Sequence, residues 1–141
     1  VIRVSIVPVD DLAMVWPKVC QWILLALEKS PIYDLTPGMV YARLELGEYE
    51  LMTARVDGAL MGAAVLAKHT DRRGMRWVGV PALGGGATVE WLPQMVEAVK
   101  QFARDGNAAR VMFPGRPGWE RWLEPHGVHK HSAVMVWDQG D

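Results

Sequence analysis

Hydrophobic and polar positions alternate at the start of the chain. Ile2, Val4 and Ile6 stand against Arg3 and Ser5 until Pro8 intervenes, which predicts a strand over residues 2–9. The period then lengthens. Leu12, Val15, Trp16, Val19, Trp22, Ile23, Ala26 and Leu27 recur at helical spacing behind Asp10-Asp11, a capping signal. Pro17 falls inside that run. Proline removes an i→i−4 bond and crowds the preceding turn, so the pattern predicts a break after Trp16 or a kink. Thr36-Pro37 caps and opens a short second helix through Met39, Val40, Leu44 and Leu46, closed by Gly47. Two apolar runs, 51–56 and 60–67, flank Asp57-Gly58, a hairpin dipeptide because both residues tolerate positive φ. A polar turn over 69–74 leads to a fourth strand over 75–80. Beyond three glycines, Leu92, Met95, Val96, Val99, Phe102 and Ala103 outline a long helix, its start blurred by Pro93 and its end marked by Asp105-Gly106-Asn107. A fifth strand over 109–113, a short helix over 119–124 and a last strand over 129–137 complete the pattern.

That order predicts an α/β (α+β) domain over residues 1–141, a mixed sheet with helices on both faces. Composition changes the picture little. The chain is 50% apolar and 22% charged, which argues against disorder. A formal charge of −1 gives no general basis for binding nucleic acid or an anionic membrane. Cys20 is the one cysteine, so no internal disulfide forms. The longest strongly apolar stretch, 22–27, is far short of a membrane-spanning helix. Seven tryptophans and eight methionines predict a core of large, adaptable side chains.

Three segments carry a family resemblance: "VDGALMGAAVL" (56–66), "VPALGGGATVEWLPQMVEAVKQFARDG" (80–106) and "RVMFPGRPGWERWLEPHGV" (110–128). With the element order, they resemble the second hairpin, the acyl-CoA segment, and the fifth strand and fourth helix of the GCN5-related N-acetyltransferase (GNAT) fold. The phrase "GRPGWERWLEPHG" is also similar to small GNAT-like proteins encoded by bacteriophages, some of which are internal virion proteins. The resemblance implies a mostly antiparallel sheet with helices on both faces. It also implies that Val80, Gly84, Gly85, Gly86, Ala87 and Thr88 form the cofactor segment, where backbone N–H groups at a helix start hold the CoA pyrophosphate. Strands four and five would splay at 78–80 and 111–113 to admit the pantetheine arm. In the family's loop pattern, Gly85 and Ala87 fit the small positions, whereas Ala82 stands where the family has Gln or Arg.

The expected chemistry is incomplete. No Lys or Arg occurs from Pro81 to Val99, and Glu90 falls in the first helical turn, where a carboxylate repels pyrophosphate. The family's proton-donating tyrosine position falls on Leu123, and no tyrosine follows Tyr49. The fourth strand has no carboxylate; Glu45, Glu48 and Glu50 are the nearest base candidates by family layout, and His126 is a substitute proton donor. His126, His129 and His131 invite a zinc reading, but too few partners accompany them, so no metal is expected. Arg116 reads as a turn residue or an anion contact, and Trp119 and Trp122 as one helix face on the sheet or against a partner.

The sequence therefore points to a non-catalytic or degenerate GNAT-fold phage protein, virion-associated or an assembly component. It would need no cofactor and would contact other virion proteins or itself, in the virion or the host cytoplasm. The alternative is an active N-acetyltransferase using acetyl-CoA.

Overall fold

In a computed structural model the chain forms β1 (Ile2–Ile6), α1 (Leu12–Glu28), α2 (Pro37–Glu45), β2 (Tyr49–Val56), β3 (Ala59–Thr70), β4 (Arg76–Gly85), α3 (Thr88–Asp105), β5 (Arg110–Pro114), β6 (His129–His131) and β7 (Val134–Asp138). Short 3-10 turns lie at Val9–Asp11 and Glu124–His126. The residues described are 1–29, 34–114, 123–131 and 134–139. The strands make one seven-stranded sheet in the order β1-β2-β3-β4-β5-β7-β6, antiparallel except at β4–β5.

Each face of the sheet has its own core. α1 and α2 cover one face, where Val15, Val19, Ile23, Val40 and Leu44 meet Leu51, Ala63, Val65 and Ala67. α3 covers the other, where Leu92, Met95, Val96 and Val99 meet Ala64, Leu66, Val78, Val80 and Val111. Successive side chains of a strand point to opposite faces, so a strand covered on both sides reads as a continuous apolar run. That explains residues 63–67, all buried.

Two bulges shape the middle of the sheet. Val65 pairs with Ala82 but Ala67 pairs with Gly79, so β4 holds one extra residue at Val80-Pro81. The extra residue shifts the alternation: Val78 and Val80 face α3, and so does Leu83. Proline cannot donate a ladder hydrogen bond, and a bulge is where a central strand tolerates one. β3 carries the second bulge, at Met61, where Ala54 pairs with Gly62 but Arg55 pairs with Leu60.

The hairpin signal and the Thr36 cap hold, whereas Asp10-Asp11 lie in a 3-10 turn and Asp11, at the N-cap of α1, makes no capping hydrogen bond. Asp57 (φ 50°) and Gly58 (φ 85°) form the two-residue turn, with Val56 opposite Ala59. The Thr36 hydroxyl accepts from Met39 N at 3.2 Å, and Pro37 is the first helical residue. Three expectations need correction. α1 runs through Pro17 without the expected break after Trp16. The carbonyl that Pro17 deprives of a partner belongs to Ala13 in the exposed first turn, where the lost bond costs little. Pro93 stands at the same depth in α3, which therefore starts at Thr88 rather than near Leu92. The last strand is a hairpin of β6 and β7. The expected short helix, with Arg116, Trp119 and Trp122, lies almost wholly outside the described residues; at its end Leu123 is followed by the Glu124–His126 turn.

Candidate functional site

β4 and β5 run parallel for only three pairs, Trp77↔Arg110, Val78↔Val111 and Gly79↔Met112. β5 then follows β7, while β4 continues to Gly85 along β3 alone. The expected splay at 78–80 and 111–113 is therefore shifted: 78–79 and 111–112 are paired, and the strands part only beyond Gly79↔Met112, where Val80-Pro81 bulges and leaves a gap beside β4. Gly86 N–H donates to Met61 O at 2.9 Å. Because antiparallel partners alternate in direction, Gly85 carries its own N–H and C=O on the edge away from β3, toward the gap.

The glycine segment is not the loose turn that three consecutive glycines suggest. Gly84 and Gly85 are strand residues, opposite Ala63 and Gly62, so only Gly86 and Ala87 join β4 to α3. Each glycine has a different reason. A Cβ on Gly84 would lie 3.2 Å from the Trp22 carbonyl of α1. Gly85 has φ 152°, and a Cβ there would collide with Met61 O and stand 2.6 Å from Gly62 Cα. The left-handed residue of the turn is Ala87 (φ 48°, ψ 43°). That conformation costs a non-glycine residue about 1 kcal/mol.

Trp91 holds this turn, and the sequence pattern gave it no role. Its indole is fully buried, and Nε1 donates to Gly86 O at 2.6 Å. The six-membered ring rests on Gly62, where a Cβ would stand 2.6 Å from Trp91 Cη2. An isolated glycine inside a strand pattern signals a close approach, and Gly62 supplied that signal. The result is a braced strand-to-helix corner. Its first-turn amides have no partner within the helix, apart from Glu90 N–H, which bonds Ala87 O at 3.0 Å. No side chain caps the turn.

Charge does not reinforce those amides. Ala82 is fully buried against the α1 side, so the family's basic position has become core. Glu90 is exposed in the first turn. Arg76 begins β4, nine residues before Gly85, about 30 Å along an extended strand. Lys100 is only 6% exposed and is committed elsewhere: Nζ donates to His126 O and lies 3.3 Å from Glu97 Oε1.

The expected proton-transfer groups do not gather at the gap. Leu123 is fully buried in the α3-side core. His126 turns Nδ1 toward Glu97 Oε1 at 3.4 Å. Burial pushes Glu97 upward, but hydrogen bonds and charge from Lys100 and His126 outweigh it and hold this carboxyl below its ordinary value. Glu45 and Glu48 are exposed at the end of α2. Glu50, opposite Leu66, stands two strands from β4, about 10 Å away, with Oε1 3.8 Å from Lys68 Nζ. Tyr49 is buried, and its hydroxyl accepts from Arg43 Nη1 at 2.7 Å. His129 and His131 lie on β6, with side chains outside the described residues. Among the described residues no three metal-capable side chains come together.

A bulged β4 splayed from a parallel β5, with a helix starting at the corner, decides the fold. This is the GNAT fold. Over 92% of the chain it superposes on 91% of a probable acetyltransferase, with TM-score 0.70 and 15% identity. A predicted acetyltransferase from Clostridium acetobutylicum, solved with acetyl-CoA, matches 94% of the chain and 92% of its own at TM-score 0.67 and 10% identity. A GNAT family acetyltransferase from Brucella melitensis in complex with acetyl-CoA matches 100% and 90%, at TM-score 0.60 and 12% identity. No protein-family model and no curated protein matches the chain. Among the described residues no helix is long and apolar enough to cross a membrane.

Proposed function

We propose that this protein is a GNAT-fold component of a bacteriophage particle or of its assembly, acting through protein contacts rather than by acyl transfer. The observation that carries the reading is Leu123, fully buried where the family pattern has a proton-donating tyrosine. Catalysis by proton transfer requires a titratable group within hydrogen-bond reach of the reacting atoms. Among the described candidates, His126 contacts Glu97, Glu50 contacts Lys68 and Tyr49 contacts Arg43, while Glu45 and Glu48 are exposed at the end of α2. The phage assignment rests on the likeness of "GRPGWERWLEPHG" to small phage-encoded proteins. Purified particles, probed with an antibody to this chain, are expected to contain it. Finding it only as free protein in infected or expressing cells overturns the assignment.

A second reading, an active acetyl-CoA-dependent N-acetyltransferase, is favoured by the braced corner and the gap between β4 and β5. Free amides at a helix start are the chemistry that would hold a pyrophosphate, while the side chains there add no cation. Acetyl-CoA would supply the activated acetyl group, and Gly85, Ala87 and Thr88 would hold it. Calorimetry with acetyl-CoA, followed by a thiol-release assay on an amine panel, separates the readings. Tight binding with thiol release supports the enzyme; binding without release, or no heat at millimolar ligand, supports the contact role. Gly85→Glu is unsuitable for this purpose, because its Cβ breaks the strand as well as the site.

A further inference from the structure

A separate cleft of about 350 Å³ lies at the other end of β4, between the last turn of α3 and the β3–β4 hairpin. That volume is within the ~300–1,000 Å³ range of small-molecule sites. Phe102, Val78 and Ala108 give it an apolar wall, and Lys68, Thr70 and Arg76 line its polar side. Lys68 is opposite Val78, and Thr70 is opposite Arg76. Lys68 and Arg76 are therefore diagonal neighbours on one sheet face, within about 8 Å, where like charges repel.

Neither cation is well neutralised. Lys68 is 55% exposed, with Glu50 Oε1 at 3.8 Å. Arg76 Nη1 donates to the Gly106 carbonyl at 3.3 Å, a neutral acceptor. Arg72 and Arg73, in the adjoining turn, outnumber its one carboxylate, Asp71, whose Oδ1 accepts from the amides of Arg73 and Met75. His69 and Trp77 alternate with Lys68, Thr70, Arg76 and Val78, so their rings stack on the opposite face of the sheet, with centroids 4.0 Å apart. There His69 Nε2 is the one buried side-chain nitrogen or oxygen without a partner among the described residues. A cationic mouth over an aromatic wall suits a ligand with a negative head and a flat body.

We propose that this cleft binds a small aromatic anion, an aryl carboxylate or an aryl phosphate. The anionic head sits between Lys68, Thr70 and Arg76, and the ring lies against Phe102. The site is independent of the acyl-CoA question, because most of the length of β4 separates the two.

The test is a titration of the full chain, followed by amide and indole NMR, with phenyl phosphate, benzoate and inorganic phosphate. Saturable amide shifts are expected at Lys68, Thr70, Arg76 and Phe102, with an aryl anion tighter than inorganic phosphate. Comparing phenyl phosphate with benzoate tells which head group is preferred. Lys68→Gln, at an exposed position, should weaken the aryl anion about tenfold, as for loss of one charge-assisted contact, and leave the melting temperature unchanged. Phe102→Leu should weaken the aryl anion but not inorganic phosphate. The proposal is overturned by any one of four results: no saturable shift at millimolar probe; shifts centred on residues 84–88; equal binding of all three probes, an adventitious ion only; or unchanged affinity in Lys68→Gln.

Discussion

The brace between Gly62 and Trp91 can be measured as a coupling energy. Gly62→Ala puts a methyl carbon 2.6 Å from Trp91 Cη2. Carbon atoms attract at about 3.5–4.0 Å, so the overlap is roughly 1 Å. The indole has no room to retreat, since it is fully buried and tied through Nε1 to Gly86 O. Overpacking of this kind costs about 1–3 kcal/mol, against ~0.5–1 kcal/mol gained by replacing glycine in a strand. Trp91→Phe loses the hydrogen bond, about 1 kcal/mol, and part of a buried ring, for about 2–3 kcal/mol altogether. The atoms that meet the new methyl are in the part of the indole that phenylalanine lacks. In the double variant the clash disappears, and the two effects should fall short of their sum by about 1–2 kcal/mol. Urea unfolding followed by circular dichroism gives the cycle, and the amide signals of Gly86 and Ala87 report the corner directly. Additivity within about 0.5 kcal/mol would refute the brace.

Four further outcomes are expected. Ala87→Gly relieves a left-handed alanine and should raise stability by about 0.5–1 kcal/mol, read from the urea midpoint. Glu90→Lys removes a carboxylate from the first turn of α3; it should cost about 0.5–1 kcal/mol of stability, while any acetyl-CoA affinity found by calorimetry should rise severalfold. Burial lowers the His69 pKa from 6.5, so the unfolded chain binds the proton first. The stability contribution is therefore complete above about pH 6.5 and declines as pH falls below it. The melting temperature should drop between about pH 7.5 and about pH 5.5 more in the wild type than in His69→Phe, which keeps the stack on Trp77. Lys100→Met strands the His126 carbonyl and should cost about 1–3 kcal/mol, with faster hydrogen exchange at Gly127 and Val128.

Local rules carried far into this fold. Alternation, helical spacing, the Thr36-Pro37 cap and the Asp57-Gly58 turn each depend on a few adjacent residues, so sequence alone determined most of the elements and their order. It also set the shortage of charge over 81–99, because no cation is encoded there. Pro17 and Pro93 misled in one way: proline's local penalty is small where the orphaned carbonyl lies in a solvated first turn, and packing of the helix face against the sheet supplies the rest. The meaning of the glycines was a tertiary matter. Gly62 and Gly85 belong to neighbouring strands joined only by register, and Trp91 reaches them only because α3 folds back over the sheet. The diagonal placement of Lys68 beside Arg76 depends on strand register, and the confinement of His126 by Glu97 arises between distant segments. Such contacts depend on chain closure and on bulges that shift a strand's phase by one residue, and no local periodicity encodes that shift.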